Sequence, residues 1–259
     1  MRSAGSSGLP SGGTRVLPAT KPHDYSRPFE VERLKVIQRC VDRISARSRS
    51  LIEFGCNAGQ MTERFARVFD RVLAIDYDAD LVRQAAARIT PADASRYDTS
   101  RYDTWRHRNV ECVQFDLNND LPDRFHGQFD SAIALEVIEH LDSPTRFIRQ
   151  IRRCLRRDGR LLISAPNMFS PEAAMGRFLG ARDGINYTAW DETHVSLFSV
   201  GRLMSLLRRN GFEITRLTGY YYGFVLPKTR TNIRLHWSTC RWPLNRLGFD
   251  AIVEARVRG

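Results

Sequence analysis

Five short apolar segments, SLIEF (50–54), RVLAID (71–76), VECVQF (110–115), FDSAIAL (129–135) and GRLLISA (159–165), alternate with stretches of helical spacing. This alternation is what most constrains the fold. The stretch 28–44 sets Val31, Leu34, Ile37, Val41 and Ile44 on one stripe, and 59–69 turns Met61, Phe65 and Phe69 inward. Helices over 80–89 and 144–157 follow the second and fourth strands, and another over 199–210 stops at Gly211 before strands at 212–219 and 249–257. Strands separated by helices predict an α/β fold with a doubly wound, mainly parallel sheet of seven strands. Ligands of such sheets sit beyond the carboxyl ends of the strands.

A chain of 259 residues that is 42% hydrophobic and 27% charged can bury a full core, which predicts one domain over 23–259. The first 22 residues are rich in Gly, Ser and Pro and read as a disordered tail without an apolar signal region. No apolar run approaches ~18 residues, so no membrane span is expected. The five cysteines are odd in number, scattered and free of CxxC pairs. They support neither a disulfide framework nor a structural zinc site, and fit a reducing, cytoplasmic setting. Nothing in the sequence fixes the oligomeric state.

Net charge is +11, with 40 basic against 29 acidic residues, which raises nucleic acid as a partner. Only Lys21, Lys35 and Lys228 are lysines, however. The densest basic run (146–160) keeps Phe147, Ile148, Ile151 and Leu155 on a helical stripe with most arginines off it, as in a solvated helix face. Three stretches break the alternation. The tandem SRYDTSRYDTW (95–105) reads as a surface loop, 166–198 as a lid just past a strand end, and 220–248 as an aromatic and basic insertion.

Two segments carry the chemistry. ALEVIEHL (134–141) holds Glu136, Glu139 and His140; a helix there would put Glu136 on the side of the other two. LIEFGCNAG (51–59) takes a strand through Glu53 into a turn at Gly55 and a helix at Gly59, a shape that lets backbone approach a ligand. The dinucleotide fingerprint needs glycine at 55, 57 and 60, and Asn57 and Gln60 stand there instead, which argues against NAD or FAD.

The acidic–Gly–Gly pattern resembles the first motif of class I S-adenosylmethionine-dependent methyltransferases. Asp76, about 20 residues beyond Gly55, Asp116 after the third strand, FDSAIALEVIEHL and LRRDGRLLISAPN follow in the family's order over 50–167. Residues 192–214 look like the continuation found in sugar and other small-molecule O-methyltransferases. The resemblance implies S-adenosylmethionine held by Glu53, Gly55, Cys56, Gly59, Asp76, Tyr77, Asp116, Leu117 and Glu136. It implies His140 as the base, with Glu136 beside it at the reaction centre.

The E-x-x-E-H spacing with His194 is similar to the metal set of small-RNA 3'-terminal 2'-O-methyltransferases, and its first three residues to ubiquinone-pathway O-methyltransferases. A divalent ion, magnesium among the candidates, on Glu136, Glu139, His140 and His194 is therefore one expectation, and His140 acting alone the other. The acceptor expected first is a saccharide or glycoside hydroxyl, with Trp190, Asp191, Tyr220 and Tyr221 as its wall. RNA ribose and a phenolic or natural-product small molecule are the alternatives, and a cofactor-binding protein without turnover is a different class.

Overall fold

The computed structural model describes residues 28–89, 96–99, 102–107, 109–171, 173–174, 194–226 and 231–259. The expected tail (1–22) and the middle of the expected lid lie outside them. The chain runs α1 (Pro28–Ser45), β1 (Ser50–Phe54), α2 (Gln60–Phe65), β2 (Arg71–Asp76), α3 (Ala79–Ile89), β3 (Arg96–Thr99), β4 (Tyr102–His107), β5 (Val110–Gln114), β6 (Phe129–Leu135), α4 (Pro144–Cys154), β7 (Leu155–Pro166), α5 (Val200–Arg209), β8 (Phe212–Leu226), β9 (Thr231–Thr239) and β10 (Asp250–Val257). These form one sheet of ten strands in the order β3-β4-β5-β2-β1-β6-β7-β10-β8-β9.

The middle seven strands are the expected sheet. Strands β5, β2, β1, β6 and β7 are mutually parallel, and β10 inserts antiparallel to both β7 and β8. The other three strands correct the expectation of irregular stretches. The tandem SRYDT copy pairs with itself as an antiparallel hairpin, Arg96 opposite Trp105 and Thr99 opposite Tyr102, and extends the sheet beside β5. The 220–248 stretch is mostly a second hairpin, because β8 runs on to Leu226 and pairs with β9.

Strand side chains alternate between faces, and the sequence exploits this. Leu51, Val72, Ala74 and Leu162 pack with Val36, Ile37, Val41, Phe65 and Val82 from α1, α2 and α3. Ile52, Phe54, Leu73 and Ile163 pack with Phe147, Ile148, Ile151, Leu203 and Leu207 from α4 and α5. The sheet is thus covered on both faces. The chain steps outward from β1 to β2 and β5 on one side, and from β6 to β7 on the other. The crevice of such a sheet lies where the direction switches, between the ends of β1 and β6.

Candidate active site

The turn after β1 passes through three left-handed residues, Gly55 (φ 75°), Asn57 (φ 49°) and Gly59 (φ 80°). A Cβ on Gly55 would stand 2.4 Å from Val137 Cγ2, and one on Gly59 2.7 Å from Ala85 Cα. Glycine therefore lets this turn lie against the chain leaving β6, and lets α2 start against α3. Asn57 stands where the family pattern has glycine; its Oδ1 accepts from Ala58 N at 2.7 Å, as amide side chains do in this conformation. Asp76 pins the turn to the end of β2: its Oδ2 accepts from Asn57 N at 2.8 Å and its Oδ1 from Asp78 N at 3.1 Å. Burial lifts the Asp76 carboxyl above its ordinary range, against those two N–H donors.

Glu53, expected among the residues that hold the cofactor, lies at the end of β1. It points into the protein, 4% exposed, and accepts from Thr62 Oγ1 of α2 at 2.7 Å. Burial pushes its pKa up to about 8. Glu53 thus ties β1 to α2 through Oε2. Cys56 and Leu117 are buried, whereas Tyr77 and Asp116 are half-buried. Asp116, Asp76, the glycine turn and Glu136 follow the carboxyl ends of β5, β2, β1 and β6, four neighbours in the sheet.

The ALEVIEHL segment is not a regular helix. It ends β6 at Leu135, kinks through Glu136 in the left-handed region (φ 54°), and makes one tight turn at Ile138–His140. The kink gives the two glutamates different surroundings. Glu136 Oε1 accepts from Ser164 Oγ at 2.5 Å and lies 3.2 Å from Arg33 Nη2 of α1. Glu139 is 2% exposed, and among the described residues neither carboxylate oxygen has a hydrogen-bond partner. Burial first, then the charge of Glu136, raises its pKa well above the ordinary value.

An orphaned buried carboxylate is costly, and what surrounds it matters. His140 Nε2 lies 3.9 Å from Glu139 Oε1, and the His140 and His194 rings stand 4.8 Å apart. The potential ligand atoms of Glu139, His140 and His194 all fall within 4.8 Å of one another. Glu136, the expected fourth ligand, is not in this cluster, because Arg33 and Ser164 hold it elsewhere. His194 arrives from 54 residues on because Val195 N and Ser196 N both donate to the Glu139 carbonyl at 2.9 Å. One carboxylate with two imidazoles suits a divalent transition ion better than magnesium, which keeps oxygen ligands.

Of the expected acceptor wall, Tyr220 is 1% exposed in the core and offers no stacking face. Trp190 and Asp191 lie outside the described residues, as does the Tyr221 side chain. Sequence reasoning missed Arg33, Ser164 and Asp250, whose Oδ2 is 3.9 Å from Arg33 Nε. One signal was present: Arg33 sits on the stripe of Val36, Ile37, Cys40 and Val41, where a buried arginine needs an acidic partner.

A family model described as a methyltransferase domain matches residues 29–217. A protein named a probable S-adenosylmethionine-dependent methyltransferase, from Mycolicibacterium smegmatis, is 28% identical over 84% of this chain and 70% of its own length. A like-named protein of Mycobacterium tuberculosis is 29% identical over 82% of this chain, which spans 64% of that relative. A ubiquinone biosynthesis O-methyltransferase of Xanthomonas oryzae is 30% identical over 52% of this chain and 49% of its own length. Among solved structures, magnesium protoporphyrin IX methyltransferase from Synechocystis with bound SAH has the same fold, with a TM-score of 0.59 at 16% identity over 93% of this chain and 90% of that one. With the family model covering most of the sheet and both crevice-forming turns, the chain belongs to the S-adenosylmethionine-dependent methyltransferases.

Proposed function

We propose that this methyltransferase acts on a hydroxyl group of a small molecule, a phenolic hydroxyl before a saccharide one. The observation that carries this is the orphaned Glu139 carboxylate beside His140 and His194, next to the crevice between β1 and β6. A neutral amine needs no proton removed before it attacks a sulfonium, whereas a hydroxyl does. In this reading the acceptor oxygen attacks the methyl carbon, the carbon–sulfur bond breaks, the sulfur leaves as a neutral thioether, and the hydroxyl proton passes to His140. His140 suits that role because its side chain is 37% exposed and lies at the surface of the cluster.

In place of His140 acting alone as the base, a divalent ion would fit the same three residues, Glu139, His140 and His194. When bound it would supply Lewis acidity that lowers the acceptor's pKa. Asp76 would accept from the ribose hydroxyls of the cofactor. Arg33 and Glu136, at the mouth of β6, would meet the charged methionine end.

Two observations order the acceptors. Burial of Tyr220 removes one stacking surface expected for a sugar ring. Relatives named ubiquinone biosynthesis O-methyltransferases align with this chain. RNA ranks below both, because Arg146, Arg149 and Arg156 of the basic run are engaged by Asp120, Asn210 and Asp130.

The test is transfer from labelled S-adenosylmethionine to separated phenolic, saccharide, amine and RNA pools, with and without chelator. Label in the phenolic pool, lost in His140→Ala, supports the reading. Label confined to amines or RNA overturns it.

A further inference from the structure

A cleft of about 130 Å³ opens on the α1 face of the sheet, where α1 passes the ends of β8 and β9. Arg39, Arg43 and Arg216 line it, and one carboxylate, Glu254 of β10, stands beside them. That carboxylate is committed to Arg43. Arg43 Nε lies 3.2 Å from both of its oxygens, and Nη2 lies 2.5 Å from Oε1. Arg216 approaches Glu254 with Nε at 3.7 Å from Oε1, beyond hydrogen-bond length. Arg39 donates from Nη2 to Ser238 Oγ at 3.3 Å. Among the described residues, the terminal nitrogens of Arg216 and the Nε and Nη1 of Arg39 have no acceptor.

Three guanidiniums lining one cleft, two of them against a single carboxylate, repel one another unless an anion joins them. The planar N–H fork of arginine matches a tetrahedral oxyanion, and Thr218, Ser238 and Thr239 add hydroxyl donors along the same wall. We propose that this cleft binds the phosphate group of a soluble small molecule. Arg39 and Arg216 grip it, Ser238 and Thr239 add hydrogen bonds, and the Arg43–Glu254 pair forms a fixed floor.

The site is separate from the methyl-transfer crevice. Arg43 follows Arg33 by three turns of α1, about 15 Å along the axis, and Glu254 follows Asp250 along β10 by about 13 Å. S-adenosylmethionine carries no phosphate, so the occupant is a different molecule from the cofactor.

The experiment is calorimetric titration of the full chain with inorganic phosphate and pyrophosphate at fixed ionic strength. Saturable binding is expected, weakened at least tenfold in Arg39→Ala and in Arg216→Ala and absent in the double variant. Arg209→Ala on α5, equally charged but remote, should bind as wild type does. Arg39→Lys and Arg216→Lys keep the charge without the fork and should fall between. They also keep the test readable if an alanine variant misfolds. Equal binding by wild type and double variant, or an equal response to chloride, overturns the proposal.

Discussion

Arg33 Nη2 lies 3.2 Å from Glu136 Oε1, so the first helix holds the residue that leaves the central strand β6. Both side chains are largely shielded, and removing one partner of such a pair leaves the other charge stranded. Arg33→Met should lower stability by roughly 2 to 4 kcal/mol. It should also weaken S-adenosylmethionine binding at least tenfold, because Glu136 loses its restraint at the crevice. Urea denaturation and calorimetry read the two effects, and an unchanged midpoint would show that the pair does not anchor α1.

Gly55 and Val137 meet across the crevice, and their contact predicts a rescue. Gly55→Ala should destabilise the protein twice over, through left-handed strain of about 1–2 kcal/mol and through overlap with Val137 Cγ2 of about 1–3 kcal/mol. Adding Val137→Ala should return the overlap share and leave the strain. A double-mutant cycle by chemical denaturation measures this coupling. Additive effects would place the damage elsewhere.

Glu53 gives a signed dependence on pH. Its folded pKa of about 8 stands above the unfolded value near ~4.3, so between those limits the folded state holds more protons. Stability should therefore fall as pH rises from about 5 to about 8, and Glu53→Gln should flatten that decline. Scanning calorimetry of cofactor-free protein across this range decides it, and parallel curves for the two proteins would contradict the assignment.

Glu139 predicts a trade between stability and function. Its two oxygens are buried without hydrogen-bond partners among the described residues, so Glu139→Leu should stabilise metal-free protein by about 1–3 kcal/mol. The same variant should lose any gain in melting temperature on adding manganese or cobalt, a gain expected of wild type. Identical responses to the ions would remove Glu139 from the ligand set.

The sequence pattern located the central seven strands to within a residue or two at most ends, because each is a buried apolar run between helical stripes. The two hairpins escaped it for a physical reason. SRYDT repeats carry polar residues at most positions, so pairing at a sheet edge leaves no hydrophobic alternation to read. The turn with Gly55, Asn57 and Asp76 was legible because glycines and an acid at fixed spacing follow from backbone geometry. The relation of Glu136 to Glu139 was not, since one left-handed residue between strand and turn replaces helical spacing with a kink. Arg33 and Ser164 were equally hidden: their meeting with Glu136 depends on how α1 and β7 approach β6, which no local pattern records.

Strand β10 sits between β7 and β8 although it follows β8 and β9 along the chain. Vectorial synthesis therefore makes the β8–β9 hairpin before the strand that joins it to the rest of the sheet. Until β10 emerges from the ribosome, β7 and β8 each present an unsatisfied row of N–H and C=O groups, the kind of edge that recruits other chains. The interval between the emergence of β8 and that of β10 is then a window of vulnerability for the nascent protein, when a chaperone that covers strand edges would raise the yield.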